Sequence, residues 1–418
     1  MSTIAWIDVA LRGARPQAMG ALLRHFRELD LAEEAFQEAC LRALKSWPKN
    51  GPPRDTVAWL VLVGRNAALD GVRKRSRERE LPGEEALSDL SDAEGPLAEQ
   101  IDDGDYRDDL LRLLFMCCHP ELPATQQIAL ALRIVCGLTV PEIARAFLVT
   151  DAAMEQRITR AKKLVAAERI PFETPGAPER AERLAAVAAD LYLLFNEGYS
   201  ATGGSAHVRV PLCDEAIRLA RLLLRLFPGE TEMLGLTALM LLQHSRSKAR
   251  LDAQGAIVLL EDQDRALWDR NRIAEGTALL DKALRHGRPG PYQVQAAIAA
   301  LHARAPRFED TGWAEIEQLY AALERLQPSP VVSLNRAVAV ARLRGPAAAL
   351  AMVDALAKDL AGYFYFFGVR GALLTDLGRP DEAREAFDRA LAIAKSPAEA
   401  AHIRLQIDRL TRGKETAG

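Results

Sequence analysis

The stretch between Leu138 and Val165 constrains the fold of this chain more than any other part of its sequence. It holds two helical patterns on either side of a tight connection at residues 148–150. In the second pattern, apolar residues recur at helical spacing and form a single stripe that must be buried. The residues of this stripe are Met154, Ile158, Ala161 and Val165. Thr150 or Asp151 can cap the second helix, because a short oxygen side chain accepts hydrogen bonds from its first free N–H groups.

A short helix, a tight turn and a longer helix predict a helix-turn-helix, whose second helix enters the major groove of DNA. The outer face of this second helix is polar and basic. It carries Glu155, Gln156, Thr159, Arg160 and Lys163, with Arg157 and Lys162 on its flanks. The alternative is an ordinary surface helix with solvated charges, and Leu148 stands where many such turns have glycine. We favour DNA binding, because the N-terminal segment adds a second basic surface.

Composition and length exclude several classes of protein. The chain has 418 residues, enough for two to four domains of the usual roughly 100–200 residues. No apolar run reaches the roughly 18 residues that span a bilayer, and no signal peptide is recognisable, so we expect a cytoplasmic protein without membrane contact. The five cysteines mostly lie in apolar helical patterns, which predicts buried thiols rather than disulfides. The neighbouring Cys117 and Cys118 cannot easily reach one metal together, so we expect no zinc site and no cofactor.

The residues from Ile4 to about Arg79 predict a helical module. Residues 31–41 form an amphipathic helix with an acidic face, and residues 47–55 are too rich in Pro and Gly to be helical. Between Arg65 and Glu80, six bases stand against three acids. Basic charge beside an aromatic loop suits a site that follows a nucleic-acid backbone and holds a splayed base. A solvated helix end, with the aromatic residues in the core, fits this segment equally well.

The composition reverses between Glu84 and Asp109, where eleven acidic residues stand against a single base, Arg107. Gly, Pro and Ser are present and large apolar residues are few. These features predict a flexible acidic linker of roughly 25 residues. The predicted order is therefore a helical module, an acidic tether and a helix-turn-helix.

Three stretches in this order resemble bacterial RNA polymerase sigma factors of the extracytoplasmic-function type. They are EEAFQEACLRAL (33–44), AWLVLVGRNAALDGVRKR (58–75) and LTVPEIARAFLVTDAAMEQRITRAKK (138–163). Such factors consist of two helical domains, regions 2 and 4, and they bind core RNA polymerase and promoter DNA. The resemblance implies region 2 at 1–81, an acidic linker at 82–104 and region 4 at 105–170.

The resemblance also implies roles for individual residues. It assigns polymerase docking to Glu33, Glu34, Phe36, Gln37 and Glu38. It assigns recognition of the −10 element, together with loop 47–55, to Trp59, Arg65, Asn66, Arg73 and Lys74. In this set, Asn66 would help to hold a flipped base. It assigns recognition of the −35 base edges to Glu155, Gln156, Thr159 and Arg160. It assigns contacts with the −35 phosphates to Arg157 and Lys163.

Helical patterns continue beyond the helix-turn-helix almost to the C-terminus, after a breaker-rich hinge at 171–178. The last third repeats with an offset of 34 residues, which pairs Ala337 with Gly371. This is the period of the tetratricopeptide repeat, so we expect a short solenoid at 289–412 after a helical extension at 177–288.

The C-terminal part contains two distinctive polar runs, at 195–199 and 260–268. With the repeats, they resemble the subgroup of sigma factors that carry a long C-terminal helical extension. In that subgroup the extension is thought to govern activity, which implies a regulatory protein or ligand as a further partner. Within the solenoid, Asn335 and Arg336 either line a peptide groove or join two helices, and we favour the second. The aromatic run 363–367 predicts a helix-hairpin core.

The sequence as a whole predicts an all-α transcription initiation factor with two small helical domains, an acidic linker and a helical extension. No enzymatic activity is expected, because the Glu261–Asp264 cluster has no nucleophile, metal set or phosphate loop beside it. The alternative function is a helix-turn-helix repressor or activator with a tetratricopeptide sensor, which needs no polymerase. The acidic helix at 31–41 and the module around Trp59 and Asn66 argue against that alternative.

Overall fold

A computed structural model describes residues 5–76, 103–147, 149–168, 172, 177–200, 210–252, 257–394 and 397–415. Within these ranges the regular structure is helical, apart from one isolated β-bridge between Leu251 and Ile257. The all-α prediction is confirmed. The predicted linker at 82–104 lies almost wholly outside the described residues. The chain divides into two compact units, Met1–Leu191 and Tyr192–Gly418.

The first unit contains seven helices within its described residues, and an eighth helix crosses into the second unit. They are α1 (Ala5–Phe26), α2 (Leu29–Asn50), α3 (Thr56–Ser76), α4 (Asp103–Cys117), α5 (Ala124–Ala131), α6 (Val140–Ala146), α7 (Asp151–Ala167) and α8 (Ala177–Ser200). The second unit continues with α9 (Val210–Leu226), α10 (Thr231–His244), α11 (Arg270–Leu284), α12 (Pro291–Arg304) and α13 (Trp313–Leu326). It ends with α14 (Pro330–Arg344), α15 (Pro346–Ala355), α16 (Phe364–Asp376), α17 (Pro380–Ile393) and α18 (Pro397–Glu415).

Helices α1, α2 and α3 pack into a bundle around a shared aromatic core. The ring of Trp47 lies 6.0 Å from that of Trp6 and 5.2 Å from that of Trp59. Gly64 lets α3 approach α2 closely, since a β-carbon at this position would lie 3.0 Å from the carbonyl oxygen of Ala35. The bundle therefore depends on one close backbone contact as well as on large buried rings.

The predicted loop at 47–55 is shorter in the structure. Helix α2 continues through Pro48 to Asn50, and residues 51–55 alone are non-helical. Pro48 costs α2 one backbone hydrogen bond, while the last turns bury the ring of Trp47. Gly51 then ends the helix with φ of +80°, a conformation that suits glycine.

Helices α6 and α7 form the predicted helix-turn-helix. At the start of α6, the N–H and the hydroxyl of Thr139 each donate to the Glu142 carboxylate at 2.7 Å, which is a capping box. Thr150 caps α7 by accepting a hydrogen bond from the Ala153 N–H at 3.2 Å. All four residues of the predicted apolar stripe on α7 are buried. The helix-turn-helix prediction is confirmed.

The acidic segment differs from its prediction at the C-terminal end, because α4 begins at Asp103. Asp109 is fully buried and pairs with Arg24 and Arg112, at 3.2 Å in each case. Gly20 of α1 lies against it, since a β-carbon there would be 2.9 Å from the Asp109 carbonyl carbon. Part of the predicted flexible charge therefore fixes the packing of α4 on α1.

In the second unit, α10 lies at the centre and packs against α9, α11 and α12. Its residues are buried on nearly every side, which explains why it carries almost no charge. The later helices pack in consecutive pairs, and α16 and α17 begin 34 residues after α14 and α15 respectively. Gly371 marks the close approach within one pair, because a β-carbon there would lie 2.5 Å from the Phe387 ring.

Two expectations about the later helices have different outcomes. Arg336 of α14 pairs with Glu317 and Glu324 of α13, at 2.7 Å in each case, so it joins two helices as expected. In the aromatic run 363–367, Phe366 is a buried core residue, whereas Tyr365 is 54% exposed. The prediction of a core position is therefore wrong for Tyr365, because successive helical residues point in different directions.

Candidate nucleic-acid interface and its contact with the first bundle

The outward face of α7 holds most of the predicted −35 residues. Five of the six side chains are exposed: Glu155, Gln156, Thr159, Arg160 and Lys163. Arg157 is partly buried on the flank of the helix. Because the opposite stripe is buried in the unit, this face presents donors, acceptors and positive charge to the surroundings. An α-helix with such a face has the dimensions and chemistry that major-groove recognition requires.

The predicted −10 residues on α3 occupy different environments. Arg65 and Asn66 are partly exposed, whereas Trp59 is only 8% exposed and packs on Trp47. Burial and the nearby Arg65 lower the pKa of His25, which places Arg65 at the surface shared by α1 and α3. Helix α3 also carries Arg73 and Lys74, whose side chains lie outside the described part of the chain.

The predicted polymerase-docking residues of α2 divide into two groups. Glu34 and Gln37 are exposed, and the Glu38 side chain is 45% exposed beside Arg42. Phe36 is 3% exposed and Glu33 is 4% exposed. The acidic pattern of α2 therefore does not form one surface, because Glu33 points into the protein.

Glu33 is surrounded by cations that come from α1, from α7 and from the segment between α5 and α6. Its carboxylate lies 2.6 Å from Lys162 Nζ, 3.1 Å from Arg133 Nη2 and 3.7 Å from Arg15 Nη2. Asp30 contributes a second carboxylate, 2.7 Å from Lys162 Nζ. We call Asp30, Glu33, Arg15, Arg133 and Lys162 the Glu33 cluster. The sequence pattern does not indicate this cluster, because Lys162 lies 132 residues from Asp30 and 129 residues from Glu33 along the chain.

Arg15 ties the cluster to the backbone of region 4. Its Nε donates to the Ile134 carbonyl at 2.9 Å, and its Nη2 donates to the Arg133 carbonyl at 3.1 Å. Its guanidinium also lies 4.8 Å from the centre of the Phe36 ring. Gly137, with φ of +76°, is required beside it, since a β-carbon would lie 2.7 Å from Arg15 Cδ.

The protonation state of Lys162 follows from this environment. Burial opposes its charge, but hydrogen bonds to Asp30 and Glu33 outweigh that effect, so the pKa of Lys162 is raised. Burial lowers the pKa of Arg15, and Glu33 acts in the opposite direction. The interface therefore brings buried charges of both signs together. Removing one partner from a buried pair of this kind costs about 3–5 kcal/mol.

Two features are absent from the described residues. Within the described ranges, no group of three or more His, Cys, Asp or Glu side chains is arranged to hold a metal ion. Among the helices that the structure describes, none combines the length and the apolar character that crossing a membrane requires.

Three family models match the chain. Sigma-70 region 2 matches residues 11–78, Sigma-70 region 4 matches residues 112–165, and a family of unknown function, DUF6596, matches residues 183–284. An uncharacterized protein of Rhizobium meliloti (strain 1021) is 69% identical over 410 residues, which cover 98% of this chain and 97% of that protein. No solved structure matches the chain.

A helical bundle followed by a helix-turn-helix with an exposed polar and basic face is typical of a transcription factor that binds DNA. The chain contains regions 2 and 4 of the sigma-70 family, and these two domains support an RNA polymerase sigma factor. Members of this family bind core RNA polymerase and promoter DNA and direct transcription initiation without being enzymes. The prediction of a sigma factor is confirmed, while the subgroup and the role of the C-terminal unit stay predictions.

Proposed function

We propose that this sigma factor is of the extracytoplasmic-function type. In this proposal α2 docks on core RNA polymerase, α3 engages the −10 element and α7 reads the −35 element. The observation that supports it most is the division of α7 into a buried stripe and an exposed polar face. Arg160 and Thr159 on that face can reach base edges without any rearrangement of the helix.

The exposed part of α2 supplies the docking surface. Glu34, Gln37 and Glu38 are available to a partner, whereas Phe36 shapes the helix from inside. On α3, Arg65 and Asn66 carry the contacts to an unpaired strand, and Trp59 supports them from the core. Glu33 contributes to docking only after the Glu33 cluster has opened.

Promoter binding requires regions 2 and 4 to separate. Elements centred 10 and 35 base pairs upstream are about 85 Å apart at roughly 3.4 Å per base pair. Helix α2 has 22 residues and is therefore about 33 Å long, yet Lys162 of α7 contacts it directly. The Glu33 cluster is thus a closed state, which polymerase and promoter together have to open.

The C-terminal unit acts as a regulatory module in this proposal. Consecutive helix pairs at a 34-residue offset, with Gly371 at a close approach, support a tetratricopeptide-like solenoid. Such solenoids present extended surfaces for partners. The unit would set how readily the sigma domains initiate transcription.

Run-off transcription with core RNA polymerase tests the central proposal. The full chain is used to enrich DNA fragments, and initiation is then measured on those fragments. Arg160→Ala should reduce initiation about 5- to 150-fold, because one good base contact is worth about 1–3 kcal/mol. Arg325→Ala, which removes an exposed arginine from the second unit, is the matched control and should leave initiation unchanged.

The repressor or activator alternative gives a different result in the same experiment. The chain could bind duplex DNA by itself and yet support no initiation with any core polymerase preparation. That result would exclude the function of a sigma factor. Initiation that Arg160→Ala leaves intact would instead show that α7 does not read the promoter.

A further inference from the structure

The two polar runs of the C-terminal unit meet in the folded chain, although 60 residues lie between the end of the first and the start of the second. Tyr199 belongs to the first run, and Arg265 and Trp268 belong to the second. The turn after α10 adds Arg246 and Arg250 between them. We call Arg246, Arg250 and Arg265 the arginine cluster.

Two aromatic rings organise the arginine cluster. The Arg250 guanidinium lies 3.7 Å from the centre of the Tyr199 ring, and Arg246 Nη2 donates to the Tyr199 hydroxyl at 2.8 Å. The guanidiniums of Arg265 and Arg246 lie 4.7 Å and 5.8 Å from the centre of the Trp268 ring. Cation–π contacts of this kind hold guanidiniums in place without neutralising their charge.

Two members of the cluster also have a structural role. Arg250 Nη1 donates to the Tyr199 carbonyl at 2.7 Å, near the end of α8. Arg265 Nη1 donates to the carbonyls of His302 and Ala305, at the end of α12. Positive charge at the C-terminal end of a helix is favourable, because the last carbonyls there lack partners. These contacts account for one nitrogen of each guanidinium, whereas Arg246 donates to the Tyr199 hydroxyl rather than to a helix end.

The charge of the cluster is not balanced by ion pairs within the described part of the chain. Within the described ranges, none of the three arginines forms an ion pair with Asp or Glu, unlike most other buried or half-buried arginines of the chain. Glu309 and Asp310 lie near enough to favour the charge of Arg265, but Asp310 is held by Arg307 at 3.1 Å. Burial lowers the pKa of Arg250 and of Arg265, so both charges are costly as they stand.

Buried nitrogens in the same place lack hydrogen-bond partners within the described chain. They are Nη2 of Arg265, Nδ1 of His302 and Nε1 of Trp268. Arg265 is 9% exposed, so its Nη2 faces the interior rather than solvent. Burial, Arg246 and Arg265 lower the pKa of His302 to about 4, so its ring is neutral at pH 7. A cluster of buried donors with excess positive charge is the arrangement that a bound anion stabilises.

We propose that the arginine cluster binds a small anion, either free phosphate-like ions or the phosphate or carboxylate group of a small molecule. Arg246 and Arg265 would donate to its oxygens, as guanidiniums suit two-point contacts with such groups. Arg246 is half-buried, whereas a nucleic-acid backbone needs an exposed groove, so the position favours a small anion over a nucleic acid. The proposal does not depend on how the sigma domains act.

Titration calorimetry on the full chain tests this proposal, with inorganic pyrophosphate and citrate as separate probes. Sodium chloride adjusts every sample to equal ionic strength, so a general salt effect is the same in all of them. We expect saturable binding of at least one probe. A higher affinity for pyrophosphate would indicate a phosphate ligand, and a higher affinity for citrate would indicate a carboxylate ligand. Arg246→Gln should weaken that binding at least tenfold, and Arg246→Lys should weaken it less.

Arg285→Gln is the matched control, since Arg285 is exposed in the same unit and makes no contact with the cluster. It should bind the probe as the original chain does. Absence of saturable binding by the original chain with both probes would overturn the proposal. Equal affinities of the original chain and a folded Arg246→Gln variant would also overturn it, and circular dichroism establishes that the variant is folded.

Discussion

The Glu33 cluster and the arginine cluster both concentrate cations in the interior of the protein, but they balance them differently. In the first, Arg15, Arg133 and Lys162 share the carboxylates of Glu33 and Asp30. In the second, three guanidiniums share aromatic rings and carbonyls, without an Asp or Glu ion pair among the described residues. From this difference we infer that ion pairs in the first cluster hold α7 against α2, whereas the second cluster is arranged to bind an anion.

The largest expected effect comes from Glu33→Gln, which leaves the cations of the Glu33 cluster without their main partner. We expect the opening free energy of α7 to fall by about 3–5 kcal/mol, the usual cost of breaking a buried pair. Hydrogen exchange of α7 peptides, followed by mass spectrometry in increasing urea, measures it. Glu34→Gln on the exposed side of α2 is the control and should change it by less than about 0.5 kcal/mol. Equal exchange in both variants would show that the cluster does not hold region 4.

The second prediction concerns His302 beside the arginine cluster, whose titration makes the stability of the fold depend on pH. His302 has a pKa of about 4 in the folded chain against an ordinary value of 6.5, so the unfolded chain binds more protons between these values. The contribution of neutral His302 to the free energy of unfolding is therefore fully present above pH 6.5. It is lost as the pH falls towards 4, by about 3 kcal/mol in total.

Urea unfolding of the second unit at pH 6.5 and pH 4.5 measures this loss, for the original chain and for His302→Gln. The variant should show a smaller loss, because glutamine does not titrate. Equal losses in the two chains would mean that other groups dominate the acid response. Proton uptake on pyrophosphate binding, measured in two buffers, should be smaller for His302→Gln than for the original chain, because the bound anion raises the pKa of His302.

The smallest expected effect is that of Arg246→Gln on stability without added anion. Removing one of three like charges relieves repulsion, while the hydrogen bond to the Tyr199 hydroxyl is lost. We expect the two effects to cancel to within about 1 kcal/mol, measured by urea unfolding at pH 7. A fall in the free energy of unfolding of about 3 kcal/mol or more would show that Arg246 stabilises the fold as strongly as Glu33 does. The contrast between the two clusters would then be wrong.

Local patterns predicted much of this architecture. The apolar stripe of α7, its Thr150 cap and the repeated helix pairs depend on residues that are close in sequence, and helical periodicity determines them. The same reasoning identified the exposed face with Arg160. It also marked the polar runs that later meet at Trp268, although it could not show that they meet.

The residues that sequence reasoning misplaced depend on distant parts of the chain. Glu33 has the pattern of a surface acid, and only Lys162 and Arg133 make its burial possible. Asp109 lies in an acidic segment, yet Arg24 of α1 makes it a core residue. Long-range ion pairs leave no periodic signal in one sequence, so these positions become apparent only after the chain has folded.

The cysteines of this chain have a consequence for experiments that follow its opening. All five thiols are free, and burial raises the pKa of Cys40 to about 11 and that of Cys213 to about 12. The thiolate is the form of cysteine that attacks a maleimide, so at neutral pH these buried cysteines, which stay protonated, react slowly. Single cysteines introduced at exposed positions such as Gln37 and Glu155 can therefore be labelled selectively with a dye pair. Energy transfer between the two dyes would report the separation of α2 and α7 in single molecules, without removal of any native cysteine.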